Sequence, residues 1–108
     1  MKEILLNINA DVGEGIGNEH LLFPLISSCN IACGGHTGDS ESMLAIVKLA
    51  KKHKLKMGVH PSFPDKENFG RKTISISKDE LLKSLIYQIE SLNRILIKEN
   101  CSLHHVKP

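Results

Sequence analysis

Four apolar runs of strand length in this chain each end on a polar cluster punctuated by glycine or proline: Asn9 to Glu14, Asn30 to Asp39, Val59 to Asp65, and His104 to Pro108. That recurrence leaves few folds open. Side chains at the carboxyl ends of neighbouring parallel strands converge on one mouth, where α/β barrels and open α/β sheets place their chemistry.

The segments between the clusters agree. Strands are expected over Ile4 to Ala10, Leu25 to Cys33, Leu55 to His60 and from Leu103 to Val106, from their apolar patterning and flanking turn residues. Asp39 or Ser40 can cap a helix over Glu41 to His53, whose Met43, Ile46, Val47 and Ala50 fall on one face. Ser77-Lys78-Asp79-Glu80 has the spacing of a capping box, opening a long helix with Leu82, Leu85, Ile89, Leu92 and Leu96 expected inward. Strands alternating with helices imply right-handed crossovers and a mostly parallel sheet. With 108 residues the chain holds one domain and is too short for a whole β/α barrel. The expectation is an α/β fold, part of an incomplete barrel, with the amino-terminal portion of a longer protein or an assembly completed by other copies both left open.

Charge and aromatic content exclude some partners. Fourteen basic and twelve acidic residues are dispersed rather than striped, and one Tyr, three Phe and no Trp supply little for base stacking, so nucleic acid is not expected. No apolar stretch approaches membrane-spanning length, and Met1-Lys2-Glu3 leads straight into an apolar run without a signal-peptide pattern, so a cytoplasmic protein is expected. Cys29, Cys33 and Cys101 are odd in number and lack C-x-x-C spacing, which suits small buried side chains better than disulfides.

The strand-end clusters bring together Asp11, Glu14, His36, Asp39 and His60, a set suited to acid–base work. Crowded carboxylates can raise one another's pKa, and imidazole titrates near neutrality. Asp11 and His60 are the expected reacting centre, with His36 and Asp39 orienting them. Asp11, His36 and His60 are also the ligand types of a divalent metal site with an open position; a hydrogen-bonded polar site without metal is the alternative. Gly13-Glu14-Gly15-Ile16-Gly17 follows a strand but has neither nucleotide-loop spacing, and its glycines are expected to serve a tight turn. Arg71 and Lys107 are candidates for anionic groups of substrate or nucleotide. On a regular strand only one of His104 and His105 can point inward.

Asn9-Ala10-Asp11-Val12-Gly13-Glu14-Gly15, the run from Ser28 to Asp39, Gly58 to Asp65, Phe69-Gly70-Arg71, Tyr87-Gln88-Ile89 and His105-Val106-Lys107-Pro108 occur in this order and together resemble the LamB/YcsF family, to which the A subunit of bacterial 5-oxoprolinase belongs. The resemblance implies a fold like the incomplete β/α barrel of polysaccharide deacetylases. It implies opening of the lactam of 5-oxoproline to glutamate coupled to hydrolysis of ATP with Mg, together with two partner subunits. It also favours Asp65 and His105, beside Arg71 and Lys107, as substrate- or nucleotide-binding residues. The chain departs from the family pattern at Ala10, Gly35, Thr37, Ser62, Phe63 and Lys72, leaving the charged and imidazole positions intact. Two other functions remain possible on the residues alone: a metal-dependent, deacetylase-like amide hydrolase needing neither ATP nor partners, and a non-catalytic assembly module whose sheet edges bind another polypeptide or a second copy.

Overall fold

A computed structural model describes residues 6–108. Strands β1 (Asn9–Val12), β2 (Ser28–Ala32), β3 (Lys56–His60) and β4 (Leu103–Val106) form one sheet in the order β1-β2-β3-β4. All three pairings are parallel. Helix α1 (Glu19–Leu22) runs into a 3₁₀ turn at Phe23–Leu25, α2 (Ser40–Lys52) joins β2 to β3, and α3 (Lys78–Lys98) joins β3 to β4. Because each new parallel strand is added on the same side of the last, the crossovers all turn one way, as in a β/α barrel and unlike a doubly wound sheet.

Local sequence explains the boundaries. The Asp39 carboxylate accepts from Ser42 N at 2.7 Å and Ser42 Oγ accepts from Asp39 N at 2.9 Å, a closed capping box that starts α2. Ser77 Oγ accepts from Glu80 N at 3.1 Å and starts α3. The first expected strand is displaced: Ile4 and Leu5 lie outside the described residues, and the described pairing begins at Asn9 and continues to Val12. The second is shorter than expected, since Pro24 and its neighbours close a 3₁₀ turn before Ser28.

One face of the sheet carries the core. Register places Val12, Ile31 and Val59 in one row and Cys29 and Met57 in another, and all five are buried against Met43, Ile46, Val47 and Ala50 of α2 and Leu92 and Leu96 of α3. Leu82, expected inward, is 55% exposed. The buried line of α3 instead runs through Gln88, Leu92 and Leu96, with Leu81 and Leu85 half-buried above it, and Leu82 lies one residue and about 100° to the side. Cys29 and Cys33 are buried free thiols, which burial pushes up to about 12, so neither is poised as a thiolate. No described helix is long and apolar enough to cross a membrane.

The opposite face holds polar groups. Asp11, Asn30, Gly58 and His105 lie side by side across the four strands. His105 reaches that row through an irregularity: Met57 pairs with Leu103 but Gly58 pairs with His105, so His104 is an extra residue in β4. That inserted residue turns His105, and Lys107 two positions on, toward the polar face.

Candidate functional site

At the carboxyl ends of the strands a cleft of about 480 Å³ opens, lined by Asp11, Glu14, His36, His60, Arg71 and Lys107 among others. Its size suits a small metabolite. Asp11 ends the polar face of β1, and Glu14 follows in a turn whose Gly13, Gly15 and Gly17 have φ of 73°, 86° and 79°, a left-handed path that side chains resist. His60 ends β3. His36 comes from the loop after β2, where it is 3% exposed.

The two imidazoles sit edge to face with centroids 4.8 Å apart, and Phe69 packs edge-on against the other side of His36 at 4.7 Å. His36 Nε2 lies 2.5 Å from Glu14 Oε2 and its Nδ1 lies 3.1 Å from Ser62 Oγ. His60 Nδ1 lies 2.7 Å from the Lys107 carbonyl oxygen, and its Nε2 faces Asp11 Oδ2 at 3.6 Å and Glu14 Oε2 at 3.7 Å. The carboxylate that joins both imidazoles is therefore Glu14, not Asp11. Asp11 is held elsewhere: Lys107 Nζ donates to its Oδ2 at 3.0 Å and Asn30 Nδ2 to its Oδ1 at 3.0 Å.

Partial burial works to raise the Asp11 pKa, but the hydrogen bonds from Asn30 and Lys107 and the charges of His60 and Lys107 outweigh it and hold the carboxyl below its usual value. Asp11 is thus a carboxylate at neutral pH and not the raised-pKa acid that crowding alone suggests.

Three expected site residues stand apart from the cleft. Asp39 caps α2 from an exposed position, and the backbone N–H of Ser42 is the main reason its pKa is lowered. Asp65 accepts from Asn68 N at 3.2 Å and Asn68 Nδ2 at 2.9 Å, closing the turn that carries Phe69 and Arg71. Phe69 takes a φ of 57° in that turn, an unfavourable conformation for an aromatic residue that puts its ring against His36. His105 lies beneath the cleft: its Nε2 is 2.6 Å from Asn30 Oδ1.

Three residues outside the expected set complete the arrangement. Asn30, 1% exposed, donates to Asn9 and Asp11 and accepts from His105, so its amide orientation is fixed by the Asp11 carboxylate, which can only accept. An asparagine in the middle of an apolar strand run was the available signal, since asparagine is depleted in strands. Ser62 holds the His36 ring. Gln88 in turn holds Ser62, accepting from its N–H at 3.0 Å and donating to its carbonyl at 2.9 Å, and thereby ties α3 to the cleft.

His105 gives a pH signature. Desolvation, and then the charge of His104, pull its pKa below 6.5. The unfolded chain therefore takes up this proton first as the pH falls. The contribution to stability is intact above pH 6.5 and declines as the pH drops below it. Urea unfolding followed from pH 7.5 downward is expected to show this loss, and His105→Gln to flatten it; an identical slope in the variant would assign the effect to other groups.

Known proteins resemble this chain in sequence and in fold. The sequence profile of the LamB/YcsF family matches residues 6–108. The A subunits of 5-oxoprolinase from Haemophilus influenzae strains PittEE and PittGG are each 45% identical to the chain over all 108 of its residues, which correspond to 43% of the relative. The crystal structure of a lactam utilization protein from Thermus thermophilus superposes with a TM-score of 0.91 at 42% identity, covering 97% of this chain and 44% of that one. The chain spans less than half the length of these relatives. With the family profile matched along almost its whole length and the incomplete β/α barrel in place, this chain belongs to the LamB/YcsF family.

Proposed function

We propose that this chain carries the acid–base part of a cytoplasmic 5-oxoprolinase, which opens the lactam of 5-oxoproline to L-glutamate with hydrolysis of ATP in an assembly with two other subunits. The observation that supports it is the gathering of Asp11, Glu14, His36 and His60 with the cations of Arg71 and Lys107 around one cleft. A lactam carbonyl is a poor electrophile, so opening it needs polarisation of the oxygen, a base for water and a proton for the departing nitrogen. Asp11, ionised beside His60 Nε2, suits the base. The guanidinium of Arg71 and the ammonium of Lys107 suit the substrate carboxylate.

The glycine-rich turn does not fit a triphosphate. Gly13 N already donates to Glu19 Oε1 at 3.2 Å, and the Glu14 carboxylate occupies the cleft side of the turn. Nucleotide chemistry is accordingly assigned to no residue of this turn.

A metal-dependent amide hydrolase is the second reading, favoured by the grouping of Glu14, His36 and His60. One assay separates the two. The chain is combined with its partner subunits and glutamate formation from 5-oxoproline is followed with and without ATP. Glutamate that appears only with this chain, the partners and ATP present is the expected result. Hydrolysis without ATP or partners would replace the proposal with the second reading.

A further inference from the structure

The hydrogen bonds around the two cleft imidazoles fix the His60 tautomer and the angle of the His36 ring, and the consequence goes beyond either reaction above. His60 Nδ1 lies 2.7 Å from the carbonyl oxygen of Lys107, which can only accept, so Nδ1 carries the ring proton. Neutral His60 is thus left with a bare Nε2 lone pair. Ser62 Oγ, 3.1 Å from His36 Nδ1, pins that ring from its far side. The Nε2 atoms of both rings face the same carboxylate oxygen, Glu14 Oε2, at 2.5 Å and 3.7 Å, and His60 Nε2 faces Asp11 Oδ2 at 3.6 Å as well.

Lone pairs facing carboxylate oxygens repel unless positive charge lies between them. One proton between His36 and Glu14 relieves only the shorter contact, and His60 Nε2 then needs a second proton of its own. A single divalent cation serves both imidazoles and Glu14 at once, and one ligand atom from each of Glu14, His36 and His60 already lies within 4.8 Å of the others. Imidazoles whose far nitrogens donate to an oxygen are the usual support of metal-binding histidines, because that bond sets both the tautomer and the ring angle.

We propose that Glu14, His36 and His60 bind one divalent first-row transition ion of the zinc type. Two imidazoles and one carboxylate select such an ion over magnesium or calcium, which prefer all-oxygen sets. Asp11 stays outside the ligand set because Lys107 Nζ holds its Oδ2 at 3.0 Å. Three protein ligands would leave a fourth position open.

The site is tested by binding, independently of any turnover. The whole chain, stripped with chelator, is titrated with Co²⁺ by visible absorption and with Zn²⁺ by calorimetry. One equivalent is expected to bind with a tetrahedral or five-coordinate cobalt spectrum. His60→Ala and Glu14→Gln should each weaken binding by about 100-fold or more, and Ser62→Ala, which frees the His36 ring, by roughly 10-fold to 100-fold. Glu14→Asp should retain measurable binding, and His104→Ala should leave it unchanged. Unfolding midpoints of the metal-free variants, matching that of the stripped parent, show that a loss of affinity is not a loss of fold. Absence of a stoichiometric ion in the folded parent, or binding that survives Glu14→Gln combined with His60→Ala, would overturn the assignment.

Discussion

Under the proposed function, Asp11→Asn is expected to lower the rate of 5-oxoproline opening about 1,000-fold, roughly 4 kcal/mol of lost transition-state stabilisation. The substitution is nearly isosteric. Asn30 Nδ2, 3.0 Å from Asp11 Oδ1, can donate equally well to a carboxamide oxygen, so the β1–β2 pairing should persist and the circular dichroism spectrum should not change. What disappears is a negative charge held between Lys107 Nζ at 3.0 Å and His60 Nε2 at 3.6 Å. Because its neighbours hold Asp11 ionised, that charge is available at neutral pH as a base. A variant turning over at the parent rate would take Asp11 out of the mechanism and leave Glu14 as the carboxylate of the site.

The second large effect concerns stability. A Cβ added to Gly58 would fall 2.2 Å from Nε2 and 2.3 Å from Cδ2 of His105, closer than any real contact. The imidazole must leave the face of β3, and its 2.6 Å hydrogen bond to Asn30 Oδ1 goes with it. Asn30 is 1% exposed, so its oxygen has no water to turn to. Overpacking and the orphaned acceptor together place the cost of Gly58→Ala at about 2–4 kcal/mol, read as a lower urea midpoint at unchanged slope. Adding His105→Ala removes the clash. The double variant should then be more stable than the sum of the two single losses, by about 1 kcal/mol or more. Strict additivity would show that the ring moves without consequence and that the polar row is not a connected network.

Much of the architecture was legible in short-range pattern. Helix α2 is announced by Asp39 and by Met43, Ile46, Val47 and Ala50 at helical spacing, and α3 by Ser77 and Glu80. These signals work because caps and amphipathic faces are satisfied within a few residues of chain. Leu82 shows the limit. Leu81 and Leu82 are alike in composition, and which one turns toward the cleft depends on the rotation of the whole helix, in which the Gln88 amide is fixed to Ser62 across a loop.

The candidate site divides in the same way. That Asp11, Glu14, His36 and His60 belong near one another followed from their places after strands, since parallel strands deliver their carboxyl ends to one edge. Asp39, however, suited both a helix cap and the cleft in sequence, and in the structure it serves α2 alone. The exchange of Asp11 for Glu14 between the imidazoles was equally invisible. It depends on a left-handed turn through Gly13 and Gly15 that brings Glu14 back over the strand ends while Lys107, from the far edge of the sheet, holds Asp11.

By itself, then, the sequence determined the alternation of strands and helices, the end of the sheet at which polar groups gather and the residue types available there, because each depends on periodicity, caps and turns a few residues long. Only the tertiary structure decided which of those groups meet. The extra residue at His104 turns His105 and Lys107 onto the polar face of β4, the Lys107 carbonyl fixes the His60 tautomer while Ser62 pins the His36 ring, and Asn30 links β4 to β1 through His105 and Asp11. The physical reason is separation along the chain: these partners lie 19 to 96 residues apart or depend on a one-residue irregularity in pairing, and no local pattern encodes an angle or a distance between them.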